Sequence, residues 1–284
     1  MNTKQIGFLH PGAMGISLAA TAQNSAHTAC WVSHGRSPDT YQRAAKYKLI
    51  DTKTIGKLCD RCSVIVSVCP PHAATDVAQQ VLASSFKGIY ADVNAISPKR
   101  ANGIGQLMAD ADIEFVDGGI IGGPAWHPNA TWLYLSGSAA DKVAACFTGG
   151  PLATEVLGKE IGKASALKMC FAANTKGMTA LLGAIVATAQ KLGVRKELET
   201  QWSRHDPHFA QQTLSDIRRV TAKAWRFSEE MLEIAATFEA AGLPGGFHLA
   251  ASDIYQRIAK FKNADETPPV EDVLKALLNP DEIK

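Results

Sequence analysis

The chain predicts an α/β protein, a doubly wound, mostly parallel sheet followed by an all-helical half. Three observations predict it. Short β-rich runs alternate with helical stretches up to about residue 158. A glycine-bearing turn, GFLHPGAMG at 7–15, follows the first run and opens a helical pattern. Beyond Gly162 the β pattern fades and apolar residues recur at steps of three and four.

The strand candidates are 5–9, 28–33, 63–68, 88–93, 113–117, 131–136 and 152–157. Those at 28–33 and 63–68 are nearly continuous apolar runs, as strands covered on both faces must be. Helical patterns at 13–24, 72–84 and 98–110 supply crossovers. A helix over 163–192 is expected to begin in a cleft and run through the second domain. From Leu214, the series Ile217, Val220, Ala224, Phe227, Met231, Ile234 and Phe238 predicts one long helix, ended by GLPGG at 242–246. A further helix is expected through Ile254, Ile258 and Phe261, and a last one near 270–278 after Pro268-Pro269. The expected division is 1–160 and 161–284.

The turn at 10–15 has the spacing of G-x-G-x-x-G, with His10 and Pro11 at its head. Gly12 is where backbone approaches a pyrophosphate, and Gly15 is where helix and strand pack closely. The helix N-terminus, through Ala13 and Met14, supplies aligned N–H donors. A side chain at position 10 is permitted if its φ stays negative, and Pro11 stiffens the turn. This predicts a dinucleotide site in a Rossmann-type domain. An NAD site wants an acidic residue about 20 positions on. From Trp31 to Pro38 there is none, but Ser33, Arg36 and Ser37 are present. A guanidinium with flanking hydroxyls suits a 2′-phosphate, so NADP is expected over NAD.

Composition narrows the classes. In 284 residues, 29 Lys+Arg face 27 Asp+Glu, and no basic block marks a nucleic-acid partner. The longest apolar stretch, 178–189, is shorter than the roughly 20 residues of a membrane helix and is expected to be buried; no membrane association and a cytoplasmic location are expected. The six cysteines are expected to be reduced, and Cys59-x-x-Cys62 lacks the further ligands zinc needs. His205-x-x-His208 has no third ligand either, so no metal site is expected. Trp202, His205 and His208 are candidates for a lid or an interface.

Five segments in order resemble the β-hydroxyacid dehydrogenase superfamily, which includes 3-hydroxyisobutyrate and 6-phosphogluconate dehydrogenases. They are IGFLHPGAMG, VIVSVCPP (64–71), ADVNAISP (91–98), DGGIIGG (117–123) and GKASALKMC (162–170). FLHPGAMG, SHGRSP and ALKMC together resemble a branch with a distinct C-terminal domain and a poorly defined substrate. The resemblance implies a hydride transfer between NADP(H) and a small hydroxy acid or carbonyl compound. It places Cys69 and Pro70 beside the cofactor ribose, Asn94 near the nicotinamide ribose or substrate, and Gly122 and Gly123 at the substrate loop. Lys168 would be the catalytic lysine, taking or returning the hydroxyl proton. It further implies a homodimer. Trp126, His127 and Phe171 are candidates for pocket bulk and a polar handle, or for packing at the domain junction.

Three departures bear on the chemistry. The family's Asn four residues after the lysine is Ala172 here. Asn174 is turned about 240° away on a regular helix, and Thr175 lies roughly 10 Å along it. Ile121 replaces the loop serine, and Glu229-Glu230 stands where a Lys-Asp pair is common. Two alternatives follow: an imine or enamine reductase of related architecture, and a cofactor-binding sensor without turnover.

Overall fold

The structure, a computed structural model, describes residues 3–279. It forms two compact units, Met1–Met169 and Cys170–Lys284. The first holds a sheet of β1 (Gln5–Phe8), β2 (Thr28–Trp31), β3 (Ile50–Asp51), β4 (Val64–Ser67), β5 (Ile89–Asp92), β6 (Glu114–Gly122), β7 (Thr131–Ser136) and β8 (Leu152–Val156). Their spatial order is β3-β2-β1-β4-β5-β6-β7-β8. β1 through β6 pair in parallel, β6 with β7 antiparallel, and β7 with β8 in parallel. The chain leaves β1 toward β2 on one side and returns to β4 on the other. The sheet therefore reverses between β1 and β4, where open α/β sheets place ligands.

Helices α1 (Ala13–Asn24), α2 (Pro38–Lys46), α3 (Ile55–Arg61), α4 (Ala74–Leu82), α5 (Pro98–Ala109) and α6 (Ala140–Ala144) connect these strands. Alternation along each strand divides the core into two layers. Ile6, Phe8, Val64, Val66 and Ala91 face one layer, while Cys30, Ile65 and Tyr90 face the other. Leu58 of α3 lies directly over Gly7, where a Cβ would stand 2.8 Å from its side chain. Cys59 and Cys62 flank it as buried free thiols in the same layer.

Helix α7 (Lys163–Ala172) follows β8. The second unit then contains α8 (Met178–Lys191), α9 (Arg195–Ser203), α10 (Phe209–Arg219), α11 (Ala224–Ala240), α12 (Gly246–Arg257) and α13 (Val270–Leu278). Phe227 of α11 meets Tyr255 of α12 edge to face at 5.5 Å, and Ser252 Oγ donates to the Ser228 carbonyl at 2.9 Å.

Several expectations need correction. The segment 117–123, expected as a loop, is mostly the second half of β6. The long helix from Leu214 is two, α10 and α11, separated by a 3-10 turn at Thr221–Lys223. A 3-10 turn also advances by three residues, so the apolar spacing runs through the break unmarked. The helix through Ile258 ends at Arg257, and Ala259–Asn263 is another 3-10 turn. The apolar stretch at 178–189 belongs to a helical run over Lys163–Lys191, which is long and apolar enough to cross a membrane by length and composition alone. Ala180, Gly183, Val186, Ala187 and Ala189 are buried while Met178 and Leu181 are about half exposed, so the stretch is only partly the buried helix expected. A π-helical segment, Ala173–Gly177, interrupts that run. Angles counted from Lys168 to Asn174 and Thr175 on a regular helix do not apply across it.

Leu58→Ala would leave a void over Gly7. It is expected to lower unfolding stability by about 2–5 kcal/mol, read as a fall in the urea midpoint at unchanged slope.

Candidate active site

The turn after β1 is held by its own backbone. Gly12 N–H donates to the His10 carbonyl at 2.8 Å, closing a three-residue turn centred on Pro11. Residue 10 keeps a negative φ, as the sequence requires of a side-chain-bearing residue there. A Cβ on Gly15 would stand 2.3 Å from that same carbonyl, so only glycine lets α1 start this close to the strand. A Cβ on Gly12 would meet nothing within 4 Å. Gly12 is the N-cap of α1 and no side chain caps the helix, so Ala13 and Met14 begin a helix with its first N–H groups uncapped. These are the features of an anion cradle.

Next to this turn lies the end of β2. Ser33 is buried, and its carbonyl accepts from Arg36 N at 3.1 Å and Tyr41 Oη at 3.0 Å. Ser37 caps α2 positionally, with its hydroxyl 3.1 Å from that of Thr40. Arg36 Nε and His10 Nδ1 are buried without a hydrogen-bond partner. Burial, then the charge of Arg36, pushes the His10 imidazole down to about 4, so it is neutral near pH 7.

At the end of β4, Cys69 N–H donates to Asn94 Oδ1 at 2.5 Å. Asn94 Nδ2 donates to Ser67 Oγ at 3.1 Å and to Asp92 Oδ2 at 2.9 Å, and Asn94 N–H donates to Asp92 Oδ1 at 3.0 Å. Asn94 is 2% exposed and both amide hydrogens are engaged. Its side chain ties the β4 and β5 turns together, which spacing could not reveal. Pro70 leads into a 3-10 turn at Pro71–Ala73. Burial pushes the Cys69 thiol up to about 12, so it is protonated near pH 7.

Lys168 is seated by residues the sequence reading did not single out. Asp117 of β6 is buried, and its Oδ2 accepts from Gly162 N, Ser165 N and Ser136 Oγ at 3.0, 3.0 and 3.1 Å. Ser165 Oγ donates to Oδ1 at 2.5 Å. One carboxylate thus satisfies the start of α7. Two residues on, Gly119 lies beneath the helix. A Cβ there would be 2.6 Å from the Ala164 carbonyl and 2.9 Å from Lys168 Cβ. Asp92 and Asp117 are parallel partners, so Asn94 and Gly119 stand equally far past that pair. Lys168, half-buried, is therefore rooted at the carboxyl edge of the sheet beside the Asn94 turn. The D-G-G triplet held the information, as a helix cap followed by two small residues.

Gly122 has φ +116° and a Cβ there would strike the Ala130 carbonyl at 2.1 Å, so its glycine serves the exit from β6. Gly123 is exposed and its carbonyl accepts from Thr131 Oγ1 at 2.7 Å. Trp126 stacks on Tyr47 at 5.3 Å, and Ala125 N–H donates to Ser17 Oγ of α1 at 3.0 Å. Phe171 belongs to the second unit and is 43% exposed, so the structure does not bring it together with Trp126 in one unit. In that unit Glu230 is ion-paired to Lys176 of the π segment, whose carbonyl accepts from Tyr255 Oη at 2.8 Å. Trp202 packs edge to face on Phe209 at 5.2 Å. No group of three or more metal-ligating side chains occurs among the described residues.

Residues 5–148 match the family model described as the NAD binding domain of 6-phosphogluconate dehydrogenase. Residues 189–258 match a domain of unknown function (DUF1932). An uncharacterized 28.5 kDa protein of Methanothermus fervidus is 31% identical over 194 residues, covering 68% of this chain and 74% of that protein. A solved protein of unknown function, described as structurally similar to 3-hydroxyacid dehydrogenases, is 25% identical with a TM-score of 0.66, covering 91% of this chain and 98% of the other. The 3-hydroxyisobutyrate dehydrogenase of Mycobacterium tuberculosis, solved with L-serine, is 16% identical with a TM-score of 0.69, covering 97% and 99%.

Two outcomes test this geometry. Asp117→Ala leaves the start of α7 without its acceptor and is expected to cost about 3 kcal/mol or more, measured by urea unfolding. Burial pushes Asp92 up to about 7 from an ordinary 3.8. The folded chain therefore holds this proton after the unfolded chain has lost it, and stability falls as pH rises from about 4 to about 7. Asp92→Asn removes that slope. The stability difference between variant and wild type should move in the variant's favour by up to ~4 kcal/mol from pH ~4 to ~8; a constant difference would assign the carboxyl an ordinary titration.

Proposed function

The chain belongs to the β-hydroxyacid dehydrogenase superfamily, and on that premise we propose that it is an NADP-dependent oxidoreductase acting on a small hydroxy acid or carbonyl compound. The seat of Lys168 on Gly119, in register with the Asn94 turn, is the observation that carries this reading.

The residues fit the cofactor. The open space over Gly12 and the uncapped start of α1 suit a pyrophosphate. The buried, unpartnered Nε of Arg36 suits a 2′-phosphate on the adenosine ribose. Bound nicotinamide supplies or accepts the hydride. Lys168 holds the substrate oxygen: its neutral amine takes the hydroxyl proton during oxidation, and its ammonium returns one during reduction. Gly122 and Gly123 offer backbone N–H groups to the substrate's acidic end. Asn94 acts one step removed, by fixing the Cys69-Pro70 turn along which the cofactor lies.

The test is a panel of hydroxy acids with NADP⁺, and of aldehydes, keto acids and cyclic imines with NADPH. Lys168→Ala is expected to lower kcat/KM for the compound turned over by about 10²–10⁴-fold, with the NADPH Kd held within about threefold. Turnover of cyclic imines alone would favour a reductase of related architecture. Tight NADPH binding with no turnover would make the chain a sensor, and full activity without Lys168 would remove the proposed acid/base.

A further inference from the structure

The imidazole of His10 occupies a place that the spacing of the turn reserves for a glycine, and it is not idle bulk. Its backbone is pinned on both sides. The carbonyl of residue 10 accepts from Gly12 N–H and has Gly15 against it. The carbonyl of Pro11 accepts from Arg43 Nε at 3.4 Å, while Arg43 Nη2 donates to Thr40 Oγ1 at 3.1 Å. The turn is thus tethered to α2, and the backbone from which the imidazole projects is held in place. Its Nδ1 is buried without a partner, and so is Nε of Arg36, whose charge acts on the imidazole.

Two buried nitrogens without partners, on the turns that follow the paired strands β1 and β2, are the mark of a missing acceptor. Arg36 can only donate, and a neutral imidazole donates from whichever nitrogen meets an acceptor. A carboxylate of the chain does not fill the role. Asp51, at the end of β3, is engaged by Lys53 through both backbone N–H (2.8 Å) and Nζ (2.6 Å). What satisfies an imidazole and a guanidinium together is a multi-oxygen anion, because one phosphate presents acceptors to both. The ribose diol of an unphosphorylated dinucleotide would instead seek an acidic acceptor here. The pyrophosphate belongs at the start of α1, which leaves the ribose phosphate for the pair at the end of β2.

We propose that His10 is a second reader of the adenosine 2′-phosphate, paired with Arg36 and held in place by Arg43, so that the first turn itself discriminates NADP(H) from NAD(H). The inference rests on the cofactor reading given above and adds a residue to it. It explains a histidine where a bare turn would bind either dinucleotide.

The experiment measures Kd for NADPH, NADH and adenosine 2′-monophosphate with the full chain and four forms: wild type, His10→Gly, His10→Gln and Arg36→Ala. Melting temperatures are taken alongside. Wild type is expected to favour NADPH by well over tenfold. His10→Gly should weaken NADPH and adenosine 2′-monophosphate by about tenfold, leave NADH within about twofold, and keep the fold. His10→Gln, which retains a donor, should recover most of the loss. A parallel fall in NADPH and NADH affinity would mean that His10 only shapes the turn, and unchanged affinities would mean that it touches nothing; either overturns the inference. Arg36→Ala abolishing the preference while His10→Gly keeps it would leave the NADP reading standing and the second reader refuted. A wild type that prefers NADH would overturn both.

Discussion

A single buried carboxylate holds the start of α7 against the sheet. Asp117 sits on β6 with four hydrogen bonds converging on it, three from Gly162 and Ser165 at the start of α7 and one from Ser136 on β7. Burial raises the cost of its charge and pushes the carboxyl up, and those donors offset part of that cost. The helix cannot slide along the sheet without stranding that charge. Gly118 and Gly119 then allow close approach on opposite faces: Gly118 under Val93 and the Asp92 carbonyl, Gly119 under Ala164 and Lys168. Strand, helix and lysine are one construction.

Much of the first unit was legible in the sequence because its patterns are local. Alternating apolar runs, a glycine turn at a strand end and helix-period spacing each report on a few neighbouring residues. The turn at 10–15 was readable even with His10 at its head, since Gly15 alone requires closeness to the strand and Gly12 alone requires openness. The short elements α2, α3 and β3 escaped notice because runs of this length carry little periodicity. The second half kept its helical character but lost its breaks, since a turn advancing three residues at a time imitates the apolar period of a helix.

The site divided along the same line. Lys168 and the turn at 10–15 were singled out by motif. Asp117 and Ser165 could not, since their partnership joins residues far apart in sequence. Asn94 shows what position leaves out. Its place in the motif suggested contact with a ligand, and the structure adds that its amide braces Ser67, Asp92 and Cys69. Nothing in the residue type separates an asparagine that binds from one that braces. The apolar run at 178–189 illustrates a limit of composition: a stretch too short for a bilayer lay inside a longer helix whose apolar face is only partly covered.

The thiols of the chain make a native stopwatch. Cys30, Cys59, Cys62 and Cys146 are sealed in the core, while Cys170 is exposed. An alkylating reagent would mark Cys170 at once and reach the sealed four only as their layers open. Because Cys59 and Cys62 border the leucine over Gly7, their modification would time the loosening of that particular corner, separately from the melting of the chain as a whole.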